Sequence, residues 1–228
     1  MIPPSILGSF SAEWLRAVPP QTLGNVITYL MDSFSDLRHL YPTQHDFGKS
    51  EPVLTLSLSQ HADLQDRKEG AGISGGFAAE SYAPVRDSSG AVRKNGRTDI
   101  LFTLGERGAP QVIFEFKKLD GSAGHRRLYI TDGLNRFVTG KYAPDRGQGV
   151  MVGLSKLMPA TESVAVQRAI NDNTVLAAQR CVPNAAGVGT HVPSILAAGV
   201  ADFDTIHDRS GSTMITPIRV AHVFVHCP

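Results

Sequence analysis

One nine-residue run constrains this chain more than any other part of it. Gln111–Leu119 reads QVIFEFKKL, and the stretch from Val112 to Phe116 is apolar on both faces. Val112, Phe114 and Phe116 fall on one face, and Ile113, Glu115 and Lys117 on the other, because side chains alternate along a strand. A strand that is apolar on both faces belongs in the middle of a sheet covered by other layers. The plainer setting for Glu115 and Lys117 is a solvated edge strand, and the apolar neighbours speak against it. Glu115 and Lys117 are two residues apart and therefore stand side by side.

The flanking segments supply the other layers. Leu23, Val26, Ile27, Leu30, Met31, Phe34, Leu37 and Leu40 recur at helical spacing over residues 21–41, with Pro19 and Pro20 before them and Pro42 after. Between Glu51 and Lys68, Leu54, Leu56 and Leu58 alternate as in a strand, but the polar run after Ser59 favours a helix. Residues 69–76, EGAGISGG, read as a loop. Strands are expected at Phe77–Pro84 and Arg97–Leu104, with a turn over Ser88–Gly96. Ile130, Leu134, Phe137 and Val138 form one apolar stripe of a helix from Arg127 to Tyr142. Gly149–Leu154 reads as a buried strand, 161–180 as a helix and Ile218–Val225 as a last strand. The central order is helix, three strands, helix, strand. The first 45 residues read as an N-terminal helical extension, and 46–228 as the main domain.

Charge narrows the function. Lys plus Arg is 22 and Asp plus Glu is 21, so the chain as a whole is nearly neutral. Residues 91–146, however, carry 11 basic and 6 acidic side chains, whereas 1–90 carry 6 and 10. A basic middle is either a solvated face or an electrostatic footprint for phosphates. Two cysteines, Cys181 and Cys227, are too few for a disulfide scaffold and point to a reducing compartment. No stretch approaches the length of a transmembrane helix, and the first residues lack the early positive charge of a secretory signal. The expectation is a soluble, cytoplasmic protein.

The chemistry concentrates on two neighbouring strands. A hairpin would bring Asp99 beside Glu115. Two carboxylates at one point repel unless a cation lies between them, and hard oxygen ligands select Mg²⁺, with Mn²⁺ as substitute. A lysine beside such a metal can orient a water and stabilise charge growing on a phosphate. Lys118, Arg126, Arg127, Arg136 and Lys141 are the candidate phosphate contacts.

The segments GRTDILF and VIFEFKKL, joined by a turn, match the PD-(D/E)xK pattern. With the element order around them, they resemble the restriction-endonuclease-like nuclease superfamily over roughly residues 51–155. Thr98 stands where the pattern usually has proline. The resemblance implies an α/β fold: a restriction-endonuclease-like core with a mixed β-sheet flanked by helices, plus N- and C-terminal extensions. It implies Asp99, Glu115 and the backbone carbonyl of Phe116 as metal ligands, and Lys117 positioning the attacking water. It also implies a further acid, with Glu80 taken as the candidate and Glu51 weighed as an ordinary surface acid. The activity implied is metal-dependent phosphodiester hydrolysis of nucleic acid, with DNA expected. The setting implied is restriction or antiphage defence, as a homodimer or within a larger defence complex.

Two other readings stay open at this point. One is a module of the same fold that binds nucleic acid or protein without cutting. The other is a serine hydrolase using Gly72-Ile73-Ser74-Gly75-Gly76, which matches GxSxG but lacks the preceding strand that a nucleophile elbow needs. The overlapping GxGxxG match has the same polar lead-in and is set aside. His125 reads as polar surface.

Overall fold

The computed structural model describes residues 17–79, 82–86, 92–97, 99–105, 109–142, 146–209 and 217–228, the segments 82–86 and 92–97 by their backbone only. Helix α1 spans Pro20–Leu40, α2 Glu51–Ala62 and α3 Gln65–Gly70. Strands β1 (Gly76–Ala79), β2 (Tyr82–Arg86), β3 (Val92–Arg97), β4 (Ile100–Thr103) and β5 (Gln111–Leu119) follow. A helix then runs as α4 (Ala123–Leu128), a π-helical turn (Tyr129–Leu134) and α5 (Asn135–Val138). Next come β6 (Gln148–Ser155), α6 (Pro159–Ile170), α7 (Asn173–Ala178), β7 (Thr190–His191), β8 (Phe203–His207) and β9 (Ile218–His226).

Among the described residues, seven strands form one mixed sheet in the order β1-β4-β5-β6-β9-β8-β7, and β2 and β3 form a separate hairpin. β4 pairs antiparallel with β1 and β5, while β6 pairs parallel with β5 and β9. The sheet is mixed because β4 and β5 join through a short connection, whereas β5–β6 and β6–β9 need helical crossovers. Val112, Phe114, Phe116, Val150, Val152 and Leu154 face α1 and α2. The opposite parity, including Ile113, Leu119 and Met151, faces the α4–α5 helix and α6. A buried Leu, Val or Phe on these faces contributes about 1.5–3 kcal/mol. The strand expected at the centre of the sheet is therefore there, over the residues expected, with a layer on each side.

Several boundaries differ, each for a physical reason. The turn expected over 88–96 is largely β3, and β4 begins only at Ile100, so Asp99 lies just before its strand. The helix expected over 127–142 starts a turn earlier, where Ser122 accepts the His125 N–H at 3.3 Å. It stops at Val138 because Gly140 takes a left-handed conformation at φ 69°. The helix expected over 161–180 is two, α6 from Pro159 to Ile170 and α7 from Asn173 to Ala178, split where the Asp172 carboxylate caps α7 by accepting the Thr174 N–H at 2.9 Å. Helix α1 does not stand apart as an extension: Leu23, Val26, Ile27, Leu30 and Phe34 share one core with β5 and β6.

Strand β8 escaped the sequence because, apart from Phe203, its buried residues are polar. Asp204, Thr205 and His207 are all buried. His207 Nδ1 lies 2.8 Å from the Gln179 carbonyl, which can only accept, so Nδ1 carries the proton. Nε2 then accepts from Thr205 Oγ1 at 2.7 Å, and that oxygen accepts from His222 Nε2 at 2.9 Å. His222 Nδ1 in turn accepts from the Tyr129 hydroxyl at 2.9 Å. One direction of proton donation satisfies the chain from the π-helical turn to β8, with both imidazoles neutral.

Candidate active site

The site forms where β4 ends and β5 continues. Ile100 pairs with Phe114 at the start of β4, but β5 runs on to Leu119 with only β6 beside it. Beyond Phe114 its other edge therefore presents backbone groups that need partners. Asp99 Oδ2 accepts the Phe116 N–H at 2.8 Å. Glu51, the first residue of α2, reaches the same edge, its Oε1 3.1 Å from Lys117 Nζ, and the nearby Lys118 N–H favours its charged form. Two carboxylates thus come to one open edge, and Asp99 caps one of its N–H groups. N–H and C=O of one strand residue point to the same side, so the Phe116 carbonyl lies on this edge too.

Glu115 rises from the helix-covered face of β5 and is fully buried. Its Oε1 accepts from Lys117 Nζ at 2.7 Å and from Arg136 Nη1 at 2.8 Å. Its Oε2 is buried without a hydrogen-bond partner. Lys117 Nζ also lies 3.1 Å from Glu51 Oε1, 3.1 Å from the Phe116 carbonyl and 3.5 Å from Asp132 Oδ2. The π-helical turn brings Asp132 here, and Gly133 beside it makes room. A Cβ on Gly133 would come within 2.6 Å of Met151 Cε and 3.2 Å of Lys117 Cγ. π-Helical turns inserted into α-helices often mark functional sites.

Burial and crowding of charge govern the electrostatics. The Glu115 carboxyl is pushed up from 4.5 to about 8, first by burial and then by repulsion from Asp99, against the pull of Lys117 and Arg136. Asp99 is also raised, chiefly by burial, although the Phe116 N–H favours its charged form. Glu51 is raised by burial, with Lys117 opposing and Asp99 assisting. Burial works against the Lys117 ammonium, but Glu115 and Glu51 outweigh it and hold its pKa above the ordinary lysine value. The Glu115–Lys117 pair is thus pulled both ways. The raised Glu115 is the firmer direction: Oε2 has no donor and Asp99 adjoins it, whereas Lys117 is surrounded by oxygens.

The structure brings Asp99, Glu115, Phe116 and Lys117 together. Glu80 lies outside the described residues, and the further acids within the described site are Glu51 and Asp132. Of the expected phosphate contacts, Arg127 and Lys141 are exposed. Lys118 points to the other face and donates to the carbonyls of Phe47 and Lys49. Arg126 pairs with buried Glu162 through Nε at 2.6 Å and Nη2 at 3.2 Å. Arg136 faces Glu115 instead of solvent. Asp132 and Tyr142 went unremarked in the sequence; the spacing of Asp132 and Arg136, one helical turn apart, was the available signal for the first. Ser74 lies between α3 and β1, the reverse of the strand–turn–helix order of a nucleophile elbow. His125 Nδ1 is 2.6 Å from Asp120 at the surface.

Neither the family models, nor the curated proteins, nor the solved structures compared with this chain give a match. The described residues contain no group of three or more His, Cys, Asp or Glu arranged to hold a metal ion. No helix among them is long and apolar enough to cross a membrane. The ligand set on offer at the β4–β5 divergence is two carboxylates, Asp99 and Glu115, and one backbone carbonyl. That set suits an ion that keeps several waters and takes one or two carboxylates, which is the habit of Mg²⁺. The partnerless Glu115 Oε2 is the atom that fits such an ion.

Proposed function

We propose that this protein is a metal-dependent nuclease of the restriction-endonuclease-like type. The observation that carries the reading is Glu115 Oε2, buried and without a partner, on a carboxylate repelled by Asp99 next to an open strand edge. In the metal-free protein the raised Glu115 carboxyl can keep its proton and turn it toward Asp99, and a divalent cation would take the place of that proton and relieve the repulsion between the two carboxylates. Around it, α2, β1, β4, β5, the α4–α5 helix and β6 follow the helix, three strands, helix, strand order of that fold.

Asp99, Glu115 and the Phe116 carbonyl would hold Mg²⁺ or Mn²⁺. When bound, the ion supplies charge neutralisation at a phosphodiester and a more acidic water. The chain's own residues do the rest. Asp99 stays oriented by the Phe116 N–H. Lys117, held by Glu51, sits beside the position of an attacking water and stabilises negative charge as it develops. DNA as the substrate, a homodimer or larger complex, and restriction or antiphage defence rest on the resemblance in motif and element order.

The test is a supercoiled-plasmid nicking assay in Mg²⁺, Ca²⁺ or EDTA, with wild type and the Asp99→Ala, Glu115→Ala and Lys117→Ala variants. Cleavage is expected in Mg²⁺ alone and is expected to fall at least 100-fold in each variant, about 2.7 kcal/mol of barrier or more. Cleavage in EDTA, or undiminished cleavage by Glu115→Ala, would refute the proposal.

A further inference from the structure

We infer that Arg136 is the positioning residue of this site: it holds one oxygen of Glu115 so that only the other is presented to a metal ion. The inference rests on the nuclease reading and extends it to a residue that makes no contact with substrate.

The guanidinium is used on every side. Nη1 donates to Glu115 Oε1 at 2.8 Å and to the Tyr142 hydroxyl at 2.6 Å. Nη2 donates to Asp132 Oδ2 at 2.9 Å and Oδ1 at 3.1 Å, and Nε reaches Oδ1 at 3.3 Å. Tyr142 is fully buried. The planar fork is therefore fixed from two directions before it meets Glu115, and an arginine alone offers that many donors in one plane.

The consequence falls on Glu115. Lys117 and Arg136 both bind Oε1, which sets the rotation of the carboxylate about its last bond. Oε2 is left as the atom without a donor. Lys117 cannot set this orientation by itself, because its ammonium is a point charge shared among Glu115, Glu51 and the Phe116 carbonyl. Ligands that are oriented by outer hydrogen bonds bind metal about 10–100 times more tightly than the same ligands without them.

Asp132 gives a way to test this without substituting Glu115 or Arg136. It is half exposed, it meets Arg136 at the far end of the fork, and its contact with Lys117 Nζ is a looser 3.5 Å. The experiment is calorimetric titration of the nucleic-acid-free protein with Mn²⁺ and Ca²⁺, alongside thermal melts and plasmid cleavage at saturating Mg²⁺. The proteins are wild type, Arg136→Gln, Arg136→Lys, Asp132→Asn and the double variant Arg136→Gln/Asp132→Asn. Arg136→Gln should bind metal at least tenfold more weakly. Arg136→Lys should recover little of that, because one ammonium cannot span Glu115, Tyr142 and Asp132. Asp132→Asn should show part of the defect, and the double variant should be no worse than Arg136→Gln. A purely structural role predicts a lower melting temperature with unchanged metal affinity in the folded protein. Unchanged affinity in both Arg136→Gln and Asp132→Asn overturns the inference while leaving the nuclease reading intact. Absence of ion binding and cleavage in wild type overturns both.

Discussion

Replacing Glu115 with glutamine should stabilise the metal-free protein at high pH, although it removes two hydrogen-bonded ion pairs. In the folded chain the carboxyl ionises only at about 8, against 4.5 ordinarily. A group whose folded pKa is raised keeps its proton longer when folded, so its contribution is complete below 4.5 and is lost as pH rises through about 8. Moving a carboxyl between those values corresponds to about 5 kcal/mol. The pull of Lys117 and Arg136 is already part of the value of about 8, so it takes nothing further from the gain. Glutamine resembles the protonated carboxyl, with Lys117 keeping Glu51 and the Phe116 carbonyl, and Arg136 keeping Asp132 and Tyr142. The gain at pH 9 is therefore up to about 5 kcal/mol. For a chain of this length that is a rise in Tm of up to about 10–20 °C. Below pH 5 the gain should vanish, because wild-type Glu115 is then already protonated. Scanning calorimetry from pH 5 to 9 in EDTA measures the difference. Mg²⁺ should narrow it: an ion at 100 times its Kd adds about 2.7 kcal/mol to wild type and much less to Glu115→Gln. A variant less stable than wild type at pH 9 in EDTA would refute the reasoning, and would mean that Lys117 and Arg136 outweigh burial and Asp99.

Two further outcomes follow from the core. His207 is held down from 6.5 to about 4 by burial, so the neutral network contributes fully above 6.5, and about 3 kcal/mol drains away as pH falls toward 4; urea titrations of wild type and His207→Gln at pH 7.5 and 4.5 should show a smaller acid loss in the variant, and equal losses would discount the network. Gly133→Ala should lower stability by about 1–3 kcal/mol and cut cleavage per folded molecule at least tenfold, because the added methyl presses on the Lys117 stem as well as on Met151; full activity in the folded fraction would show that the stem has room to move.

The legible parts of this protein were those where one residue pattern served one purpose. The β5 strand read correctly to both ends because apolar residues on both faces have few other settings. The shared neighbourhood of Asp99, Glu115 and Lys117 followed from strand parity and a short connection. Glu51 was less legible, since its role depends on α2 beginning beside an open edge of β5, far away in sequence. Arg136 was visible as a charge, but a stripe of Ile130, Leu134, Phe137 and Val138 cannot reveal that a π-helical turn rotates the helix between them. Strand β8 was hidden because Asp204, Thr205 and His207 are polar and yet buried, their demands met by partners distant in the chain.

The place of β9 also matters for how the molecule is made. Among the described residues it follows the other strands in sequence but lies between β6 and β8, near the middle of the sheet. During synthesis, β1, β4, β5 and β6 can assemble first, and they leave β6 with a bare, apolar edge of Gly149 to Leu154. Such an edge is a template for pairing with another chain. The sheet closes only when residues 218–226 arrive and zip along eight consecutive β6 positions. The Ser155 carbonyl then takes the Cys227 N–H, and the Pro228 carbonyl takes the Phe47 N–H from the loop between α1 and α2. Until β9 pairs, the site-bearing hairpin stands in a half-sheet with a sticky, unsealed edge, so β9 works as a latch on the half of the sheet that carries the site.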